Sequence, residues 1–295
     1  MEKKIGFIGL GIMGAPMARN LRRKYHDVLI YDINTVKMQS LESEGFTITS
    51  GINEVGRSAD VVILSLPNSQ IVKDVILGGD GLTSTLPHGS IIIDTSTTEP
   101  TVTVEIAKTL KERALRFLDA PVSGGEKAAI EGTLSFMVGG DQSLFDECSE
   151  LLQAMGTTIV RVGDNGMGQA AKMVNQMIVG ATFAIAAESF ALGVKAGLDP
   201  RVLYEAIRNG WAGSRVLDVA VPAMLERNFK PGGTVDIHWK DLGYALSLAK
   251  DKDVPTPITA MTHEVFKAAR AGGKGHLSQP AVVMLWEKLL EIEIK

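Results

Sequence analysis

A lysine interrupts an apolar run at Gly168-Gln169-Ala170-Ala171-Lys172-Met173-Val174-Asn175-Gln176. An ammonium group among alanine, methionine and valine is costly without a partner, and desolvation lowers a lysine pKa toward neutrality. Such an amine suits a general acid or base. Asn175 and Gln176 follow three and four positions on, which is the same face of a helix. They can orient Lys172 or bind a hydroxyl or a carboxylate. On spacing alone a second reading fits equally: a lysine that snorkels from a helix end.

A second group of residues offers an anion cradle. In Asp119-Ala120-Pro121-Val122-Ser123-Gly124-Gly125, the Ser123 hydroxyl and the N–H groups of Gly124 and Gly125 can hold a carboxylate. The same residue types also mark ordinary turns.

The third constellation is Gly9-Leu10-Gly11-Ile12-Met13-Gly14. It follows a strand-like run and opens a helical one, as dinucleotide binding requires. Gly9 permits the turn, Gly11 lets the backbone approach a pyrophosphate, and Gly14 lets helix and strand pack. The helix end, with Ile12 and Met13 in its turn, offers unpaired N–H groups to phosphates. Asp32 ends the next apolar run. An acid there can accept from adenosine ribose hydroxyls and repel a 2′-phosphate, so NAD is expected over NADP. Leu66-Pro67 and Asp94-Thr95-Ser96-Thr97 end two further strands, at the end where open α/β sheets bind ligands. Thr97 reads either as a ligand contact or as an N-cap before Glu99 and Pro100.

These residues need elements to position them. Strand-like runs at 4–8, 28–31, 60–64, 90–94, 117–119, 134–138 and 158–161 alternate with helical stretches. Continuous apolar runs such as Ile91-Ile92-Ile93 suit strands buried on both faces. The expected fold is α/β: a Rossmann-type doubly wound sheet over 1–163, then an all-α domain over 164–295. From Gln169 to about Lys195 apolar residues occupy nearly every face, predicting a helix buried all round. More helices are expected near 200–208, 214–226, 240–250, 258–271 and 279–292. So apolar a helix needs more cover than one small domain supplies, so a partner subunit, in a homodimer or homotetramer, is expected.

Composition narrows the function classes. The 295 residues carry 30 basic and 34 acidic side chains, a net charge of −4, without the basic excess of a nucleic-acid binder. Cys148 is the only cysteine, which excludes an intrachain disulfide and fits a reducing compartment. The N-terminus lacks a signal-peptide pattern, and the most apolar later segment, 177–187, is too short to span a bilayer. A cytoplasmic protein without nucleic-acid or membrane partners is expected. His26, His88, His238, His263 and His276 have no metal-ligand spacing, so no metal is expected and His238 reads as structural.

Together, Gly9–Gly14, Asp119–Gly125, Gly168–Gln176 and Lys240-Asp241-Leu242 resemble the β-hydroxyacid dehydrogenase family, in order and over essentially the whole chain. The resemblance implies that Lys172 is the catalytic lysine, that Ser123, Gly124 and Asn175 bind substrate, and that Leu66, Pro67 and Thr97 touch the cofactor. It implies that Lys240 reaches cofactor and substrate from the second domain. Residues 206–214 and 228–232 are similar to the tartronate semialdehyde reductase branch. That implies NADH-dependent reduction of a small carboxylate, tartronate semialdehyde, to glycerate. Other 3- or 4-hydroxy acids, 3-hydroxyisobutyrate among them, remain alternatives. A non-catalytic dinucleotide sensor is the alternative class. Gly233 departs from the family, standing where many members carry a phenylalanine, so a roomier substrate slot is expected.

Overall fold

The structure is a computed structural model that describes residues 3–295; Met1 and Glu2 of the expected first domain lie outside them. The chain forms two compact units, the first ending at Lys172 and the second running from Met173 to Lys295.

The first unit is an α/β sandwich. Its strands are β1 (Ile5–Ile8), β2 (Val28–Tyr31), β3 (Thr47–Ile48), β4 (Val61–Leu64), β5 (Ile91–Asp94), β6 (Arg116–Asp119), β7 (Val122–Ser123), β8 (Leu134–Gly139) and β9 (Gly156–Gly163). Its helices are α1 (Gly14–Lys24), α2 (Thr35–Glu42), α3 (Ile52–Ser58), α4 (Ser69–Leu77), α5 (Pro100–Glu112), α6 (Gly125–Glu131) and α7 (Gln142–Gln153). The sheet order is β3-β2-β1-β4-β5-β6-β8-β7, with β9 also on β8. Pairs from β3 to β6 are parallel, β8 runs antiparallel to β6 and β7, and β9 is parallel to β8.

Each residue of β1, β4 and β5 is buried, as expected of strands covered on both faces. Fully burying one such aliphatic side chain contributes about 1.5–3 kcal/mol. One face packs Met17, Leu21, Leu144 and Leu152 against Phe7, Ile30 and Phe136. The other packs Val55, Val72, Ile106 and Leu110 against Val62, Leu64 and Ile92. Doubly wound order reverses between β1 and β4, the crevice where such sheets bind ligands.

The second unit is helical. Helix α8 (Met167–Lys195) starts in the first unit and continues through the second, followed by α9 (Pro200–Ile207), α10 (Arg215–Leu225), α11 (Val235–Asp251), α12 (Pro257–Ala271) and α13 (Met284–Leu290). Phe183, Ala187, Phe190, Val221, Leu242, Phe266 and Val282 form its core. The last expected helix is divided: residues 279–283 are a 3-10 turn beginning with Pro280, and only Met284–Leu290 is α-helical.

Two expectations about α8 need revision. By contacts the first compact unit runs on to Lys172, because buried hydrogen bonds tie the first turn of α8 to the sheet. The helix is not buried all round: Phe183, Ala187 and Phe190 pack in the helical core, while Val174, Ile178, Ile185 and Leu192 are exposed. It is also longer than its most apolar segment. Its 29 residues are long and apolar enough to cross a membrane. Phe183, Ala187, Phe190 and Ala191 nonetheless pack in the helical core.

Candidate active site

A single row of register partners sets the rim of the first unit. Tyr31, Ile8, Leu64, Asp94 and Asp119 lie side by side across β2, β1, β4, β5 and β6. The next residue of each strand therefore begins a turn at the same level. Bonds from strand to strand fix these turns: Gly9 N–H to Tyr31 O at 2.9 Å, Ser65 N–H to Ile8 O at 2.9 Å, Thr95 N–H to Leu64 O at 2.9 Å and Ala120 N–H to Asp94 O at 2.7 Å. All candidate residues of the first unit except Lys172 lie in or just after these turns.

Gly9 has a φ of +97°, a left-handed conformation, and a Cβ there would stand 2.2 Å from Ser65 O. A Cβ on Gly14 would stand 1.9 Å from Gly9 O. Both glycines are required by the protein's own packing. Gly11 is different, for a Cβ there would meet nothing within 4 Å. The space in front of Gly11 is left for a group to approach. Helix α1 has no side-chain N-cap and no acid in its first turn. Its N–H groups and dipole thus suit an anion. Asp32 is half-buried and oriented by main-chain donors, Leu10 N–H at 2.6 Å and Asn34 N–H at 2.8 Å. These features fit a dinucleotide held through its pyrophosphate and ribose. Leu66 and Pro67 follow β4, and the Ser96 hydroxyl accepts from Leu66 N–H at 2.8 Å. Thr97 is not an N-cap: α5 begins at Pro100, behind Glu99.

Asp119 is fully buried, and its carboxylate closes the start of α8. Oδ1 accepts from Gly166 N–H at 2.8 Å and Oδ2 from Gln169 N–H at 3.0 Å, with Asn165 Nδ2 at 3.4 Å. Burial pushes its pKa up, and these hydrogen bonds pull against that shift. One turn along, Lys172 is 7% exposed. Its Nζ donates to the Val122 carbonyl at 2.8 Å. A snorkelling lysine would be exposed, and this one is not. The acceptor adjoins Ser123, so the amine and the anion cradle are neighbours in the first unit. Gly124, with a φ of +137°, and Gly125 are exposed at the start of α6.

In the second unit, four residues form a polar chain. Asn175 Nδ2 donates to Gln176 Oε1 at 3.0 Å, and Gln176 Nε2 donates to Asp241 Oδ2 at 2.6 Å. Lys240 Nζ lies 3.1 Å from Asp241 Oδ1. The His238 ring bonds Gln176 O at 3.1 Å and stacks on Phe266 with centroids 4.8 Å apart. The space beside Gly233 is not open. A Cβ there would stand 2.5 Å from Gln279 Nε2, so an amide side chain fills the room expected from the missing phenylalanine.

Residues 4–163 match the family described as the NAD binding domain of 6-phosphogluconate dehydrogenase. Residues 166–286 match the family described as NAD-binding of NADP-dependent 3-hydroxyisobutyrate dehydrogenase. The chain belongs to the β-hydroxyacid dehydrogenase family. It is 37% identical to 2-(hydroxymethyl)glutarate dehydrogenase of Eubacterium barkeri, over 100% of this chain and 99% of that protein. It is 39% identical to 2-hydroxy-3-oxopropionate reductase of Escherichia coli, over 96% and 97% of the two chains. A solved 3-hydroxyisobutyrate dehydrogenase from Salmonella typhimurium superposes with a TM-score of 0.88 at 28% identity, covering 96% of this chain and 99% of that one. This β-hydroxyacid dehydrogenase is therefore an oxidoreductase that uses a nicotinamide dinucleotide, with the expected Rossmann-type sheet followed by a helical domain.

Sequence reasoning overlooked Asp119, Gln169, Ser96 and Asp241 as individuals. Each is polar, buried and bonded to a residue distant in sequence. The available signal was a polar side chain in an apolar element, which carries no information about its partner.

Proposed function

We propose that this β-hydroxyacid dehydrogenase reduces tartronate semialdehyde to glycerate with NADH, reversibly, with Lys172 as the general acid and base. The observation that carries the chemistry is the buried Lys172 amine, held 2.8 Å from Val122 O beside Ser123. The bound nicotinamide supplies the hydride for reduction and accepts it in oxidation. Lys172 gives a proton to the oxygen as it gains negative charge in reduction, and takes one in oxidation. Ser123 with the N–H groups of Gly124 and Gly125 binds the substrate carboxylate, which fixes the carbonyl for attack. Gly9, Gly11, Ile12, Met13 and Gly14 hold the pyrophosphate, Asp32 the adenosine ribose, and Leu66, Pro67 and Thr97 the remainder of the coenzyme. Asn175 and Gln176 are assigned to substrate and Lys240 to coenzyme on the family resemblance.

The acid at Asp32 favours NAD over NADP. Tartronate semialdehyde is preferred because the relative named for its reduction is 39% identical over nearly the whole chain. A longer hydroxymethyl diacid is the second reading, favoured by 37% identity to 2-(hydroxymethyl)glutarate dehydrogenase over all of this chain. The exposed stripe of Val174, Ile178, Ile185 and Leu192 supports a homodimer or homotetramer. A cytoplasmic location fits the single buried cysteine. NADH oxidation measured with tartronate, methylmalonate and succinate semialdehydes tests the substrate. Tartronate semialdehyde should give the highest kcat/KM, and a higher value with either other substrate would overturn the assignment. Lys172→Ala with unchanged turnover would remove the proton-transfer role from Lys172, and NADH binding without turnover of any of the three semialdehydes by the unsubstituted protein would restore the sensor reading.

A further inference from the structure

Gln169 is fully buried in the first turn of α8. Its side-chain oxygen accepts from Thr98 N–H at 3.0 Å, and its side-chain nitrogen donates to Ser96 O at 2.8 Å. These two main-chain groups flank Thr97, so one amide grips the chain on both sides of that residue. The grip needs a donor and an acceptor on one planar group, which among neutral side chains of this length is the carboxamide. The turn is braced elsewhere too. Ser96 N–H donates to Asp94 Oδ1 at 3.0 Å, and the Ser96 hydroxyl takes Leu66 N–H. Gln169 is itself anchored, its own N–H bound by Asp119 Oδ2. Lys172 comes three residues later, on the same helix face.

We propose that Gln169 is a positioning residue that fixes the Thr97 turn relative to Lys172, so that coenzyme and proton donor are held in register. The inference rests on the assignment of Thr97 to coenzyme and Lys172 to proton transfer. Gln169 touches neither substrate nor coenzyme in this scheme and acts through the two residues it separates. A buried amide whose bonds merely satisfied it would be replaceable by an apolar side chain of similar shape with no change in coenzyme affinity or kcat.

The test uses the full-length enzyme and two variants, Gln169→Met and Gln169→Glu. NADH affinity is read by fluorescence titration, kcat and KM across pH with the preferred semialdehyde, and stability by Tm. Methionine fills the space without either bond. NADH affinity and kcat should each fall about tenfold, less than the roughly hundredfold that a misplacement of about 1 Å can cost beside reacting groups. Glutamate has a distinct signature. Protonated, it carries an O–H donor and a C=O acceptor like glutamine; ionised, it turns a carboxylate toward Ser96 O. The charged groups around it are Asp94 at the end of β5, Asp119 at the end of β6 and Lys172 on its own helix. The kcat and NADH affinity of Gln169→Glu, each divided by the unsubstituted enzyme's value at the same pH, should therefore rise on acidification. The ratios for Gln169→Met should stay low and flat.

Ratios near one for both variants at every pH would overturn the proposal. If Gln169→Met does not fold, Gln169→Glu alone decides, and a flat ratio rejects the role. If the unsubstituted enzyme turns over no semialdehyde, the assigned reaction fails. The NADH affinities of the variants across pH then still decide whether Gln169 sets the coenzyme turn.

Discussion

Two helix N-termini in the first unit face the same physical problem and resolve it in opposite ways. Helix α1 begins with uncapped N–H groups and no acid in its first turn. Helix α8 begins with N–H groups bound by the buried carboxylate of Asp119, supplied by the end of β6. Both ends carry the partial positive charge of a helix dipole. The first leaves that charge for a ligand anion. The second neutralises it internally and gains a fixed origin from which Lys172 is measured out. An end proposed to bind an anion must stay open, whereas a side chain proposed to transfer a proton needs its helix pinned.

The comparison can be broken at either end, and the largest effect is expected at the pinned one. Lys172→Ala should lower kcat about 10²- to 10⁴-fold, the range for losing a general acid, while NADH titration remains unchanged. Lost NADH binding in that variant would show that the pinned end serves the coenzyme instead. At the open end, Gly11→Val should weaken NADH binding about tenfold or more with Tm preserved, because a Cβ there meets no neighbour within 4 Å among the described residues. Gly14→Ala should instead lower stability by about 1–3 kcal/mol, since its Cβ would strike Gly9 O. Equal Tm values for the two glycine variants would erase the distinction drawn between them.

Removing the internal anion gives a smaller effect. Asp119→Asn leaves an amide N–H facing a backbone donor and should cost about 2 kcal/mol, read from urea midpoints. The pH dependence has a defined sign. Folding raises the Asp119 pKa, so as pH rises the unfolded chain releases this proton first. This group's contribution to stability therefore falls between its ordinary and its raised value, and the asparagine variant should lack that slope. The smallest effect is expected away from both ends. Burial pushes the Cys148 thiol up to about 11, so iodoacetamide at neutral pH should leave the folded enzyme unmodified and fully active, and label it only on unfolding.

The sheet was legible because its strands are short, apolar and punctuated. Val28–Tyr31 coincides with its expected range, and the other long strands differ by a residue or two at their ends. The two-residue strands β3 and β7 were not legible, since so short a run has no period of its own. Helix α11 begins at Val235 rather than at 240 because Thr234 caps it, its hydroxyl accepting from Ile237 N–H. The glycine turn, Asp32 and Lys172 could be named from types and spacing. The residues that hold them could not.

Sequence alone determined the alternation of strands and helices, the glycine-rich turn after β1 and the presence of an amine in an apolar helix, because each is written in neighbouring residues. Tertiary structure decided that Asp119 caps α8, that Gln169 grips the chain around Thr97 and that Gln279 fills the space at Gly233. A buried polar group must find its partner wherever folding brings one. These partners come from segments 46 to 73 positions away, a range over which no local pattern reaches.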